Sequence, residues 1–536
     1  MRKNTIINGN YACLLISVLL LCVGLCSCSD QGKKTSGQNT KTDELITIDF
    51  WYTPAVSEAG APPADWIAYK LIREKLNIDL KLSPLSSDAN DRDMKLNAAG
   101  AANSLPDFFS VRRATLTNLV KQGLVAPVDD LYALMPDRSA KMYDDTSRAF
   151  TSINGKSYGF STSTGDIRKN EGILIRKDWL DNLGLSVPVS LDEYMNVMKA
   201  FTYRDPDGNG KNDTWGYGTF IEVTNYEEGL GRRLDPFFGA FGVAGTWNLS
   251  KADPGLNIRK PGYYHALAYI KSMVDEAVMD PNWLSNKKDD FKASWKQGRF
   301  GIMREQNASY AAESNYAPFD KNFPNGEWIV IDPPTGPEGK QSVGVYTTST
   351  ENILAISAKA GRDGKGPAIA RLLEWMSSDE GYYIIGWGEE GVNFVFDGNG
   401  VPVTEGLPDP SKAFTKPEMQ PLTQLKGLAY YWGEAELLSR YPTYTTAVSG
   451  KTMSALTTLR EMQARPWTRN AGAETLPSPN SDIKRFYEQG VVEFVTGKRD
   501  LTPENWKKYI EQFDAMGGAA WEEAGIKSAA DAGFLY

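Results

Sequence analysis

Between Leu45 and Leu82 the hydrophobic pattern changes period twice, and this constrains the fold more than any other feature of the chain. Ile46, Ile48 and Phe50 alternate with Thr47 and Asp49, the two-residue period of a strand with one buried face. Trp66, Ile67, Leu71, Ile72 and Leu76 then fall at helical spacing. Ile78, Leu80 and Leu82 alternate again. Strand, helix, strand in that order reads as a parallel pair with a crossover helix, so the pattern predicts an α/β chain. Met94 to Ala102 reads as a further helix, and Leu105 to Val111 as a turn entering a strand.

Later segments carry helix punctuation. Ser190 and Glu193 form a capping box ahead of an apolar stripe of Leu191, Tyr194, Met195, Met198 and Phe201. Pro367 suits the first turn of a helix reaching Met376. Thr502-Pro503-Glu504 opens another with Trp506, Tyr509, Ile510, Phe513 and Met516, and Gly517 closes it.

The N-terminus sets the compartment. Arg2 and Lys3 precede an apolar run from Ala12 to Cys26, shorter than the roughly 20 residues that span a bilayer. That is the pattern of a secretory signal. The run ends in Leu25-Cys26-Ser27-Cys28, which resembles a lipobox with a small residue before the modified cysteine. Residues 1–27 are therefore expected to be a signal peptide, Cys28 the lipidated residue, and residues 28–43 a polar tether. The expected location is the extracellular face of the cell membrane, or its periplasmic side in a Gram-negative cell. All four cysteines lie in this region, so no disulfide framework, thiolate metal site or catalytic cysteine is expected in the folded body.

About 509 residues remain after cleavage, enough for two lobes with separate cores. Loss of Arg2 and Lys3 takes the formal charge from −9 to about −11, which argues against nucleic acid as a partner. The one histidine, His265, begins an amphipathic stretch with no nucleophile motif beside it and reads as structural.

Asp205 to Gly216 (D-P-D-G-N-G-K-N-D-T-W-G) carries oxygens at the spacing of a calcium loop. The candidate ligands are Asp205, Asp207, Asn209, the carbonyl of Lys211, and Asp213, with Gly210 at the sharp turn. The twelfth position, usually a bidentate Glu, is Gly216, so the loop is one ligand short.

Several segments together resemble one family. Ile175-Arg176-Lys177-Asp178-Trp179-Leu180 runs on through Leu185 into Val187-Pro188-Val189-Ser190-Leu191, and the D-P-D-G-N-G-K loop follows. Leu105-Pro106-Asp107, Pro333-Pro334-Thr335-Gly336-Pro337 and Glu389-Glu390-Gly391-Val392 are further landmarks. The combination resembles the extracellular solute-binding lipoproteins of bacterial carbohydrate ABC importers, the family that includes the alginate-binding proteins. The resemblance implies a two-lobe periplasmic-binding-protein-like (type II) α/β fold with a hinge and an interlobe ligand cleft. It implies lobes at 44–165 plus about 346–415, and at 166–345 plus about 416–536. It further implies an oligosaccharide ligand, permease subunits as partners, a monomer anchored through its lipid, and a structural Ca2+ away from the sugar. Those relatives have an acidic residue at the position of Thr214, so water or Thr214 would complete the site here.

Ligands of open α/β sheets bind beyond the carboxyl ends of strands. On that ground Trp51 and Tyr52, ending the first strand, and Arg112 and Arg113, following Val111, are candidate sugar contacts. Asp166 and Arg168 fall at the implied lobe crossing, and Trp247, Trp387 and Trp432 in glycine-bearing segments. Two other classes stay open: a secreted, calcium-stabilised polysaccharide-degrading enzyme, which would need paired carboxylates in a cleft, and a peptide-binding importer lipoprotein.

Overall fold

The computed structural model describes residues 45–55, 59–86, 88–164, 168–222, 228–347, 352–398, 400–429, 437–438 and 443–536. The signal peptide, Cys28, the tether, Asp166 and Trp432 lie outside the described residues.

The alternation at the start of the body becomes β1 (Ile46–Tyr52), which buries Ile48, Phe50 and Tyr52 completely. The helix α1 (Ile67–Leu76) buries Ala68 and Ile72 and ends at Asn77 in the left-handed conformation. It leads into β2 (Ile78–Pro84), parallel to β1 with Ile46 opposite Ile78 and Tyr52 opposite Pro84. Helix α2 (Ala89–Ala101) follows, and β3 (Phe108–Val111) joins the other side of β1, again parallel.

The chain then builds a second sheet from β4 (Glu171–Arg176), β5 (Trp215–Gly218), β6 (Phe300–Gln306) and β7 (Trp328–Ile331), in the order β7-β4-β6-β5. β4 runs antiparallel to both neighbours, and β5 and β6 are parallel. Helix α3 (Leu191–Tyr203) covers it. Its capping box is complete: Ser190 Oγ accepts from the Glu193 amide at 3.3 Å, and Glu193 Oε2 accepts from the Ser190 amide at 2.9 Å. Leu191, Tyr194, Met198 and Phe201 are buried beneath it, each contributing roughly 2 kcal/mol of hydrophobic stabilisation. Helix α4 (Pro261–Asp275) packs in the same core.

A short strand, β8 (Val345–Tyr346), precedes β9 (Ile353–Ile356), which returns to the first sheet antiparallel to β3. The first sheet thus has the order β9-β3-β1-β2. Helices α5 (Gly366–Trp375) and α6 (Asp379–Gly386) close its core with Ile369, Leu372, Leu373, Tyr382 and Ile385. Leu425, Leu428 and Ala429 belong to this same core. The expected return to the second lobe near 416 is therefore too early: the chain stays with the first sheet to at least Ala429. β10 (Thr468–Arg469) then pairs with β8, and helices at Ser481–Val495, Pro503–Ala515 and Gly518–Asp531 finish the chain against the second lobe's core.

Candidate functional site

In each sheet one edge collects the strand ends that matter. The carboxyl ends of β1, β2 and β3 meet the start of β9, with Ile353 opposite Val111. In the second sheet the carboxyl ends of β5, β6 and β7 meet the start of β4, with Gln306 opposite Glu171 and Ile331 opposite Ile173. The chain crosses between sheets at these same ends. It leaves Phe160, bridged to Leu354, and enters β4 at Glu171; it leaves β7 at Ile331 and returns to β9 through β8. Both crossings border the two edges, which makes the space between them the cleft where such sheets take ligands.

Trp51 stands on the first wall, partly exposed, with the Lys95 ammonium 4.5 Å from its ring centre. Arg112, directly after β3, donates through Nε to Asp93 on α2 at 3.0 Å. The Thr53 amide donates to Ser110 Oγ at 3.3 Å, tying the ends of β1 and β3 together.

The second wall is a buried charge network. The Glu171 carboxylate takes Arg232 at 2.5 Å and Arg304 at 2.9 Å. Arg233 reaches Glu222 at 2.8 Å and Glu305 at 3.6 Å. Burial alone would raise the pKa of Glu171, but Arg232, Arg304 and Arg233 outweigh it and bring it down to about 2. At Glu305 burial wins over Arg233 and the pKa is raised.

Beside this wall stand two partly exposed aromatics, one on the return crossing and one just before β10. Tyr346 on β8 carries the Lys169 ammonium 4.7 Å from its ring centre. Trp467 meets Tyr346 edge-on at 6.3 Å and donates through Nε1 to the Met462 carbonyl at 3.0 Å. Each wall therefore presents an aromatic face with a lysine above it.

The Asp205–Gly216 loop lies at the end of α3. Asp205 takes a left-handed φ of 46°, and its carboxylate accepts from the amides of Asn209 (3.0 Å) and Gly210 (2.9 Å). The Asn209 side-chain amide donates to Asp207 Oδ2 at 2.9 Å and Asp213 Oδ1 at 3.2 Å. The loop carboxylates are thus taken up by amide donors of the loop itself. Burial and the neighbouring Asp205 raise the pKa of Asp207. Arg299 competes for the loop, with Nη1 3.1 Å from Asp213 Oδ2. Thr214 takes no part: it is buried and its hydroxyl donates to the Phe201 carbonyl at 2.8 Å. Gly216 cannot carry a ligand, because a Cβ there would stand 2.5 Å from Met198 Cα. Among the described residues, no group of three or more His, Cys, Asp or Glu is already arranged to hold a metal.

A family model described as bacterial extracellular solute-binding protein matches residues 72–421. The chain belongs to that family. It is 25% identical over 533 residues to the polygalacturonan/rhamnogalacturonan-binding protein YtcQ of Bacillus subtilis (strain 168), covering 95% of this chain and 97% of that one. Among solved structures, an HMO-binding, ABC-transporter-associated solute-binding protein from Bifidobacterium longum infantis aligns with TM-score 0.66 at 17% identity, over 90% of this chain and 98% of that one. The Streptococcus pneumoniae substrate-binding protein FusA, in complex with kestose, aligns with TM-score 0.61 at 17% identity, over 91% of this chain and all of that one. These structures share the two-lobe α/β fold.

The family's cleft sorts the candidate contacts. Trp51 and Arg112 stand at the first edge, and Arg168 is exposed on the crossing. Tyr52, Trp247 and Trp387 do not offer stacking faces. Tyr52 is fully buried, Trp247 packs edge-on against Trp521, and Trp387 packs against Tyr382 and Tyr383. Arg113 turns inward to the carbonyls of Phe150 and Ser152, bracing the chain. Tyr346, Trp467, Lys95 and Lys169 were missed. Their signal was weak, since Tyr346 and Trp467 meet only because β8 pairs with β10.

Proposed function

We propose that this protein is an extracellular binding lipoprotein that captures an acidic oligosaccharide in the interlobe cleft and delivers it to an ABC importer permease. The observation that carries the acidic reading is the pair of lysine-capped aromatics, Lys95 over Trp51 and Lys169 over Tyr346. Each ammonium is a donor that a sugar carboxylate can take, and drawing it off the ring frees the aromatic face for the apolar side of the sugar. The full-length likeness to a polygalacturonan/rhamnogalacturonan-binding protein supports the same class.

Ligand touching both walls would favour a closed arrangement of the lobes about the crossing segments, and permease subunits would read that closed form. Cys28 would carry the lipid that keeps the protein at the membrane. The protein would act as a monomer.

Calcium would sit in the Asp205 loop, held by Asp205, Asp207, Asn209, the Lys211 carbonyl and Asp213. Its contribution would be structural: neutralising three clustered carboxylates and fixing the end of α3 to β5. Neither Thr214 nor Gly216 can supply a further side-chain ligand, so water would complete the shell and binding would be weak.

The test is calorimetric titration of the mature protein with oligogalacturonides and with neutral oligosaccharides of equal length, followed by assay for new reducing ends. Tight acidic binding without cleavage supports the reading. New reducing ends would place the chain among polysaccharide-degrading enzymes instead.

A further inference from the structure

The only histidine of the chain borders a cavity that shares no residue with the cleft walls. The cavity has a volume of about 520 Å3, within the usual range of small-molecule sites. Four segments line it: the loop after Phe238, the Asn248–Asp253 turn, the first turn of α4, and the Pro337–Lys340 loop of the return crossing. Phe241 and the exposed His265 lie nearly parallel there, ring centres 6.2 Å apart and planes 25° apart. Gly262 lets the walls meet, since a Cβ there would stand 2.5 Å from the Phe241 carbonyl oxygen.

The polar lining is balanced. Lys260 pairs with Asp253, and Lys340 pairs with Glu338 at 2.6 Å. Two cations and two anions cancel, so the cavity offers a charged ligand no net attraction. Each pair is near the surface and worth only about 0–1 kcal/mol, so hydroxyl groups can replace either partner at little cost. The first turn of α4 adds the backbone N–H of Gly262, since Pro261 has none and that of Tyr263 donates to the Lys260 carbonyl. An aromatic face beside exchangeable donors and acceptors of both signs is the chemistry that recognises an uncharged, hydroxyl-rich ring.

We infer that this cavity is a second binding site, for a neutral sugar residue, built on Phe241 and His265. Its selectivity is opposite to that of the cleft, where lysines stand over the aromatics. The inference goes beyond the cleft reading and stands or falls separately from it.

Because His265 is unique, its imidazole NMR signals report on this cavity alone. The mature protein is titrated with D-galactose, L-rhamnose and D-galacturonate, each at millimolar concentration. The expected result is a saturable shift of the His265 signals with a neutral sugar, and binding of galacturonate at least about tenfold weaker, a difference of 1.4 kcal/mol. Phe241→Ala abolishes the shift and leaves oligosaccharide titration of the cleft unchanged. If Phe241→Ala fails to fold, Lys340→Ala is used and weakens the shift severalfold. The inference is overturned if neither neutral sugar moves the His265 signals, if galacturonate binds more tightly, or if the shift survives the substitution.

Discussion

Arg304 reaches Glu171 across 2.9 Å with both side chains almost wholly buried, joining the first residue of β4 to the neighbouring strand at the cleft edge. Breaking a buried pair costs about 3–5 kcal/mol when it strands the remaining charge, and Arg232 still holds Glu171, so that figure is the upper bound here. Arg304→Met is therefore expected to lower chemical-denaturation stability by less than that, and Arg304→Met with Arg232→Met by more than either single change.

The same relationship sets an acid limb. The pKa of Glu171 is held at about 2 in the fold against an ordinary 4.5. A depressed carboxylate pKa stabilises the protein above the unfolded value, and the gain is lost as pH falls through the folded one. The loss should run from about pH 4.5 down to about pH 2 and amount to roughly 3 kcal/mol. Glu171→Gln should be less stable than the wild type at pH 7, with the gap closing over that window. Tm measured against pH for both proteins checks this.

Calcium is expected to raise Tm and a chelator to lower it. Arg299 contests Asp213, so Arg299→Gln should tighten calcium binding about fivefold, the worth of one partly exposed ion pair. Thr214→Asp, which restores the acidic residue of the alginate-binding relatives, should fail to tighten it. That carboxylate would be buried against the Phe201 carbonyl and would cost stability instead. Calorimetric calcium titrations of the three proteins decide between these outcomes.

Aromatic substitutions should divide by burial. Trp51→Ala and Tyr346→Ala remove partly exposed rings and should weaken oligosaccharide binding about 10- to 100-fold with smaller losses of stability than Trp387→Ala. Trp387→Ala should cost about 3–5 kcal/mol of stability and affect binding only through folding.

Residues whose role is local could be read before the fold was known. The two-period alternation from Leu45 to Leu82 became β1, α1 and β2, and the Ser190–Glu193 box became the start of α3. Burial was not readable in the same way. Trp387 lies next to Gly388, and a glycine-bearing segment suggested a surface loop. Gly388 is instead at φ 96° and pressed against Asn393, so the tryptophan turns into the core. Trp51 and Tyr52 are adjacent in one strand, and the pleat alone decides that they lie on opposite faces of the sheet, the first partly exposed and the second fully buried. The Tyr346–Trp467 pair depends on a parallel pairing of distant segments, which no local pattern encodes.

The most direct measurement is the affinity of the mature protein for oligogalacturonides, with and without Lys95→Ala and Lys169→Ala combined. Micromolar or tighter binding of the acidic ligand is predicted, falling about 10- to 100-fold in the double variant while Tm holds. Equal affinity for neutral and acidic oligosaccharides, unchanged by the two substitutions, would contradict the account.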